Sequence, residues 1–281
     1  MKKLEFDSEF FNAADTLLCG QVFRFTLGSN GYFLKSQDKA CKIFTENDKT
    51  IIYCKEEDEE YFRTYFDLDT DYGAIYNRAK NSGYEFLSHA ADFGKGVRIL
   101  CQNSEEMLFS FMISQNNNIP RIKSIIEKLC VYCGKKQDFY GESYYAFPSF
   151  DDIKKLSLKE LKDVGLGYRA DYVSGICSAI EGGLIDELKS LNAEKMRERL
   201  LKIKGIGEKV ADCVCLFGFH KTDSFPADVW VERIYRENFN GEEKSRKKIS
   251  SYFVNKFGMD SGFFQQYLFY YKRLGEGKKD N

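Results

Sequence analysis

The hydrophobic positions change period once along the chain. Through Gly31 to Ser36, Cys41 to Thr45 and Thr50 to Lys55, apolar and polar residues alternate, broken by Gly-Ser-Asn-Gly and Glu-Asn-Asp-Lys turns. A two-residue period puts alternate side chains on opposite faces, so the first 55 residues or so read as strands of a small antiparallel sheet. From about Asp58 the apolar residues recur at steps of three and four, as in Met107, Leu108, Phe111, Met112 and in Ile122, Ile125, Ile126, Leu129. That spacing predicts helices. Ser157 and Glu160 form a capping box ahead of Leu161 and Val164, while Pro148 to Asp152 and Gly182-Gly183 punctuate the helical run. The pattern predicts an α+β protein: a small N-terminal antiparallel β-sheet domain with flanking helices over residues 1–95, packed on a larger all-helical domain over 96–281. The tail from Gly275 to Asn281 is expected to fray.

Composition narrows the function classes. The chain has 281 residues, 25 Phe, 18 Tyr and only three Pro, enough for a large, partly aromatic core and long helices. The net charge of -1 does not itself suggest a polyanion binder. The charge is unevenly spread, however: acidic residues crowd into Glu56 to Asp71, and basic ones recur along Arg121 to Lys136 and Lys195 to Lys209. Any contact with DNA is therefore expected from one face and should weaken with salt. No stretch is long and apolar enough to span a membrane, and MKKLEFDSEF lacks the apolar core of a signal peptide. Nine cysteines at irregular spacing suggest reduced thiols and a cytoplasmic location, at the nucleoid of a prokaryote or in the nucleus of a eukaryote. Cys130 and Cys133 form one CxxC with no second pair at zinc spacing, so they read as two helix cysteines, and no metal or nucleotide cofactor is expected.

The chemistry concentrates in LKIKGIGEKVADCVCLFGFHKTDSFPADVWVERIY, residues 201–235. Gly205 and Gly207 allow a sharp turn and a close approach to something bulky. The amides that follow, up to Val210, face outward at a helix start, where partial positive charge favours a phosphate. Lys209 opens that helix and Asp228 precedes the next one. A lone lysine in a first helical turn is ordinarily a solvated cation. Here it stands between Gly-Ile-Gly and the apolar face of Val210, Val214 and Phe217, where an amine could displace a leaving group and form a Schiff base. Asp228 could cap its helix, stabilise developing positive charge, or do both.

Two further clusters stand out. Ser114-Gln-Asn-Asn-Asn-Ile-Pro-Arg121 ends an apolar helical run with three poor helix formers, a turn by composition. With Arg121, its amides could replace hydrogen bonds lost when a base leaves a duplex. Gly165-Leu-Gly-Tyr168-Arg169 is either a Gly-rich helix end with a surface tyrosine or an aromatic wedge beside a second cation.

Residues 201–235 resemble the helix-hairpin-helix motif of the DNA glycosylases, with the hairpin at about 196–219. Together with Gly20-Gln-Val-Phe-Arg24, Phe109-Ser-Phe111, Asn116 to Arg121, Gly165 to Ala170 and Gln265-Gln-Tyr-Leu-Phe269, they make the chain similar, over nearly its whole length, to the eukaryotic-type 8-oxoguanine DNA glycosylases. The resemblance implies two helical subdomains with a cleft between them, and a monomer acting on double-stranded DNA. Lys209 would be the nucleophile and Asp228 its electrostatic partner, with β-elimination of the 3′ phosphate following. Asn116 would fill the space left by the flipped base, with Asn117 supporting it. Arg121 and Arg169 would hydrogen-bond the orphaned cytosine, and Tyr168 would wedge beside it. The Gly20 carbonyl would accept from the N7 proton of the lesion, Cys213 and Phe269 would sandwich the base, and Gln265 would read its Watson-Crick edge. Phe217 would lie near that pocket, and Gly205, Gly207 and Val210 would contact the backbone.

The chain departs from the family at two places. Trp230 stands where many relatives carry a histidine, and Phe217 is bulkier than expected. Cysteines end at Cys215, which excludes the C-terminal four-cysteine iron-sulfur cluster of some relatives. The competing readings are a glycosylase of the same superfamily for another damaged base, or a catalytically inactive DNA-binding relative. The missing cysteine cluster counts against a glycosylase for oxidised pyrimidines and Lys209 against one for alkylated purines, while Lys209 and Asp228 together count against an inactive relative.

Overall fold

The structure, a computed structural model, describes residues 1–275; the tail expected to fray lies, apart from Gly275, outside the described residues. The sheet is formed by β1 (Lys2–Asp7), β2 (Phe25–Gly28), β3 (Gly31–Ser36), β4 (Lys39–Glu46) and β5 (Lys49–Cys54), with α1 (Ala13–Leu18) between the first two. The strands run antiparallel in the order β1-β5-β4-β3-β2. Register follows the alternation in the sequence. Leu4 lies opposite Ile52, which lies opposite Ile43, and all three are buried. A slip of one residue would turn that whole row to solvent. This face packs on Leu17 of α1 and on Phe62 and Tyr65 of α2 (Glu59–Tyr65).

The rest of the chain is helical: α3 (Tyr72–Lys80), α4 (Glu85–Phe93), α5 (Ser104–Ser114) and α6 (Ile119–Cys133) come first. A small hairpin of β6 (Lys136–Phe139) and β7 (Glu142–Tyr145) follows, then α7 (Phe150–Lys154), α8 (Leu158–Asp163), α9 (Ala170–Glu181) and α10 (Leu184–Lys189). The C-terminal part holds α11 (Ala193–Leu201), α12 (Glu208–Phe219), α13 (Val229–Asn238), α14 (Arg246–Phe257) and α15 (Ser261–Tyr270). Helix α5 is buried on every side from Glu106 to Ile113, which marks it as the centre of the helical body. The capping box at Ser157 and Glu160 starts α8, with both reciprocal hydrogen bonds made. Cys130 and Cys133 are free thiols in the last turn of α6. No helix among the described residues is long and apolar enough to cross a membrane.

Sheet and helices are locked together by buried polar groups that come from one short segment. The Gln21 amide donates to the Arg98 carbonyl at 2.6 Å, and its oxygen accepts from the Leu100 amide at 2.9 Å. Arg24 is buried against Glu106 of α5 at 3.6 Å and donates to the Tyr145 and Gln37 carbonyls. Breaking such a buried pair from one side costs about 3–5 kcal/mol, because the remaining charge is left without a partner. The Gly20 to Arg24 segment is thus held at both ends, which fixes where Gly20 points.

Candidate active site

The hairpin joins α11 to α12 through a turn at Ile203 to Gly207. Gly205 adopts φ +92°, and a Cβ there would fall 2.3 Å from the Tyr172 ring, so this glycine is required by its own protein. Nothing stands within 4 Å of a Cβ at Gly207, leaving that side open to a partner. Gly207 is the N-cap of α12 and offers no side chain. The amides of Glu208, Lys209 and Val210 are therefore the uncapped donors of the first turn, as an anion site needs. The Gly205 carbonyl accepts from Gln115 at 2.6 Å, which ties the hairpin to the end of α5.

Lys209 is half-buried, and its Nζ lies 5.0 Å from the centroid of the Phe111 ring. Phe111 stacks on Phe217 at 5.6 Å, and its other neighbour is the edge of Phe23. Phe217 thus sits in the core one turn below Cys213 and supports the aromatic floor beneath Lys209. Burial pushes the Cys213 thiol up to about 11, while the Lys209 ammonium pulls it down and Asp228 pushes it further up. Asp228 is the N-cap of α13, its Oδ1 accepting from the amides of Trp230 at 2.9 Å and Val231 at 3.1 Å. Capping holds the carboxylate in place.

Another cluster forms where α15 meets the N-terminal segment. Gly20 has φ +100°; a Cβ there would lie 2.7 Å from an Arg273 nitrogen and 3.3 Å from the Phe269 ring. The Arg273 guanidinium lies over that ring at 5.1 Å, and Asp228 acts on it electrostatically. Gln265 is 4% exposed, and its side-chain oxygen has no protein partner. A buried orphan acceptor of this kind calls for an explanation. The sequence gives no sign of Arg273, which lies in no motif; its only signal is its place one turn after Phe269.

A second group gathers at the start of α6. Asn116 takes φ +46° and donates to the Tyr168 hydroxyl at 3.3 Å. Asn117 donates to the Ile113 carbonyl at 3.2 Å, and Asn118 caps α6 by accepting from the Arg121 amide at 3.0 Å. Arg121 is exposed, and Tyr168 is 47% exposed. Arg169 is only 3% exposed: its guanidinium donates to the Gln115 and Asn116 carbonyls and lies 4.6 Å from the Tyr168 ring centroid. The structure thus brings Asn116, Tyr168 and Arg169 together, with Arg169 beneath the other two. Trp230 is partly buried, with Arg233 over its ring at 5.2 Å.

Behind the hairpin a buried network holds α12. Arg197 of α11 donates to Asp212 at 2.7 Å and also pairs with Glu208, while Ser250 of α14 donates to Asp212 at 3.4 Å. Burial pushes Asp212 up to about 6, against the pull of Arg197.

Residues 109–257, which hold the hairpin, Lys209 and the capping Asp228, match the HhH-GPD superfamily of base excision DNA repair proteins. Residues 3–108 match the N-terminal domain of 8-oxoguanine DNA glycosylase. The chain belongs to the 8-oxoguanine DNA glycosylase family. It is 36% identical to the 8-oxoguanine glycosylase/lyase of Clostridium acetobutylicum, solved with double-stranded DNA containing cytosine opposite 8-oxoguanine. That match has a TM-score of 0.90 and covers 98% of this chain and 99% of the other. The probable N-glycosylase/DNA lyase of Methanothermobacter thermautotrophicus is 28% identical over 74% of this chain and 72% of its own. The N-glycosylase/DNA lyase of Saccharomyces cerevisiae is 34% identical over 52% of this chain and 42% of its own.

Proposed function

We propose that this chain excises 8-oxoguanine from duplex DNA, opposite cytosine, and then nicks the strand as a lyase, with Lys209 and Asp228 carrying the reaction. The observation that carries this reading is Lys209 half-buried in the first turn of α12, just behind the side-chain-free N-cap Gly207, with Asp228 fixed as the N-cap of α13. In the proposed sequence the lysine nitrogen forms a bond to C1′ as the bond to the base breaks. Asp228 stabilises positive charge on the sugar, and the departing base takes up a proton. Opening of the sugar leaves a Schiff base, from which loss of a C2′ proton expels the 3′ phosphate.

Selectivity for the lesion rests on Gly20. Its carbonyl would accept from the N7 proton that 8-oxoguanine carries and guanine lacks, so guanine would face it with acceptor against acceptor. The orphan oxygen of Gln265 supports the same pocket, since an extrahelical base would supply the missing partner. Cys213 and Phe269 would flank that base. On the other side Asn116, Asn117 and Tyr168 would occupy the gap in the duplex, with Arg121 reaching the orphaned cytosine and Arg169 joining it on release from the Gln115 and Asn116 carbonyls. We read the protein as a monomer acting where chromosomal DNA is held.

Borohydride trapping on four duplexes, with 8-oxoguanine opposite cytosine, thymine, guanine or adenine, tests the proposal. A covalent adduct formed best opposite cytosine is expected. Absence of an adduct on all four would overturn the lysine mechanism.

A further inference from the structure

Away from the Lys209 site, at the opposite end of α12, three side chains of metal-ligating type meet. His220 is the C-cap of α12, Asp67 lies in the turn between α2 and α3, and Cys101 immediately precedes the segment leading to α5. One ligand atom from each lies within 4.8 Å of the others, and they form the one such group among the described residues. We propose that Asp67, Cys101 and His220 form a zinc site that clasps the far end of the lysine-bearing helix to the N-terminal part of the chain.

Geometry admits a cation between these side chains. His220 Nε2 stands 3.4 Å from Asp67 Oδ2, longer than the roughly 2.7–2.9 Å of a charge-assisted hydrogen bond. Zinc holds nitrogen and oxygen ligands at about 2.1 Å, and at a tetrahedral angle that puts the two ligand atoms about 3.4 Å apart. The observed spacing matches that tetrahedral edge without any movement of His220 or Asp67. The sulfur needs to close by about an ångström at most to reach its own tetrahedral edge of roughly 3.6 Å. A thiolate, a carboxylate and a neutral imidazole also balance the charge of a divalent ion. Three protein ligands leave a fourth position, and a cavity of about 620 Å³ lined by Asp67, Cys101, Gln102 and His220 gives it access to solvent.

The donors stand on fixed backbone, and the carboxylate has supporting partners. Thr70 donates to Asp67 Oδ1 at 2.7 Å and Tyr72 to Oδ2 at 2.9 Å, the kind of support that orients metal-ligating carboxylates. Of the cations nearby, Arg98 engages the Asp67 backbone carbonyl and the Tyr72 ring face, Arg63 pairs with Asp69 at 3.1 Å, and Lys189 lines the same cavity. The Cys101 amide donates to the Tyr65 carbonyl, the Gln102 amide to that of Phe217, and the Lys221 amide to that of Cys215, each at 2.9 Å. Both His220 and Asp67 adopt left-handed backbone, φ 51° and 52°. Such conformations persist where surrounding structure fixes them, often at ligand sites.

Cobalt(II) titration of the full chain after dialysis against chelator tests the site. The expected result is a one-to-one complex with a thiolate-to-cobalt charge-transfer band and intense tetrahedral visible bands, discharged by zinc. Cys101→Ser should lose the charge-transfer band. His220→Asn should weaken binding by roughly a hundredfold or more, since even loss of a supporting partner costs 10–100-fold. Cys130→Ser should bind as the parent does. In the unmodified chain, zinc should slow alkylation of Cys101 but not of Cys133, a readout that does not depend on any variant folding. Absence of the cobalt bands, their survival in Cys101→Ser, or unprotected Cys101 would each overturn the site. No readout involves DNA, so none of these outcomes bears on the excision chemistry.

Discussion

The Lys209 side and the Asn116 side of the proposed DNA face are built in opposite ways. Lys209 stands on a helix clamped by a buried Arg197–Asp212 pair, above the Phe111 and Phe217 rings, beside an aspartate locked as a helix cap. Asn116, Arg121 and Tyr168 are exposed side chains at the end of α5, in the first turn of α6 and in the short turn of 3-10 helix before α9, and Arg169 supports the first and last from beneath. Reacting groups tolerate little displacement, since misplacement of an ångström can lose about 100-fold in rate. Groups that fill a gap in a duplex must instead move into it. On the proposed roles, the contrast teaches that chemistry is pre-organised while recognition is left adjustable.

Four experiments would break or sharpen that contrast. The largest effect is expected from Lys209→Gln, which should abolish base release and borohydride trapping while leaving duplex binding nearly intact; turnover by this variant would remove the nucleophile assignment. Next, Asp228→Asn should keep the helix cap yet slow excision by about 10²–10³-fold, the size typical of a lost electrostatic partner. Asp228→Ala should in addition lose about 1 kcal/mol of stability with the cap, so equal stability of the two variants in thermal melts would contradict the dual role.

The third experiment probes the clamp. Burial holds Asp212 at about 6, so the folded chain keeps a proton that the unfolded chain loses near its ordinary value of 3.8. With more protons bound in the folded state, stability should rise as pH falls through this window and drop as pH rises through it. Denaturant melts across the window should show a slope amounting to about 3 kcal/mol, and Asp212→Asn should flatten it. A parent slope of the opposite sign would show that Asp212 is not the titrating group. The smallest effect is expected from Arg169→Ala. It should loosen the Asn116 turn and reduce discrimination among the four opposite bases by about 1–3 kcal/mol; an unchanged ratio would exclude Arg169 from that role.

Much of this arrangement is legible in the residues because it rests on local rules. The alternation over Gly31 to Lys55 yields β3, β4 and β5 nearly to the residue, and Asp228 reads as a cap because Pro226 and Ala227 precede an apolar helix start. The missing pieces are short or depend on distant partners. Helix α1 has six residues, and the β6–β7 hairpin has four in each strand, too few for a period to show. Arg169 follows an exposed tyrosine and reads as a surface cation; only the fold reveals the carbonyls of Gln115 and Asn116 above it. Arg273 joins the site because α15 returns to Gly20, a contact across more than 250 residues that no local pattern encodes.

The constraint at Gly20 also bears on how this protein could be altered. A side chain there is excluded twice, by a backbone conformation that favours glycine and by the Arg273 and Phe269 atoms already in its place. Position 20 therefore offers a mutating population no graded steps. Drift toward another lesion must begin elsewhere, with Arg273 or Phe269 yielding first, and the order in which substitutions can be accepted is set before any of them occurs.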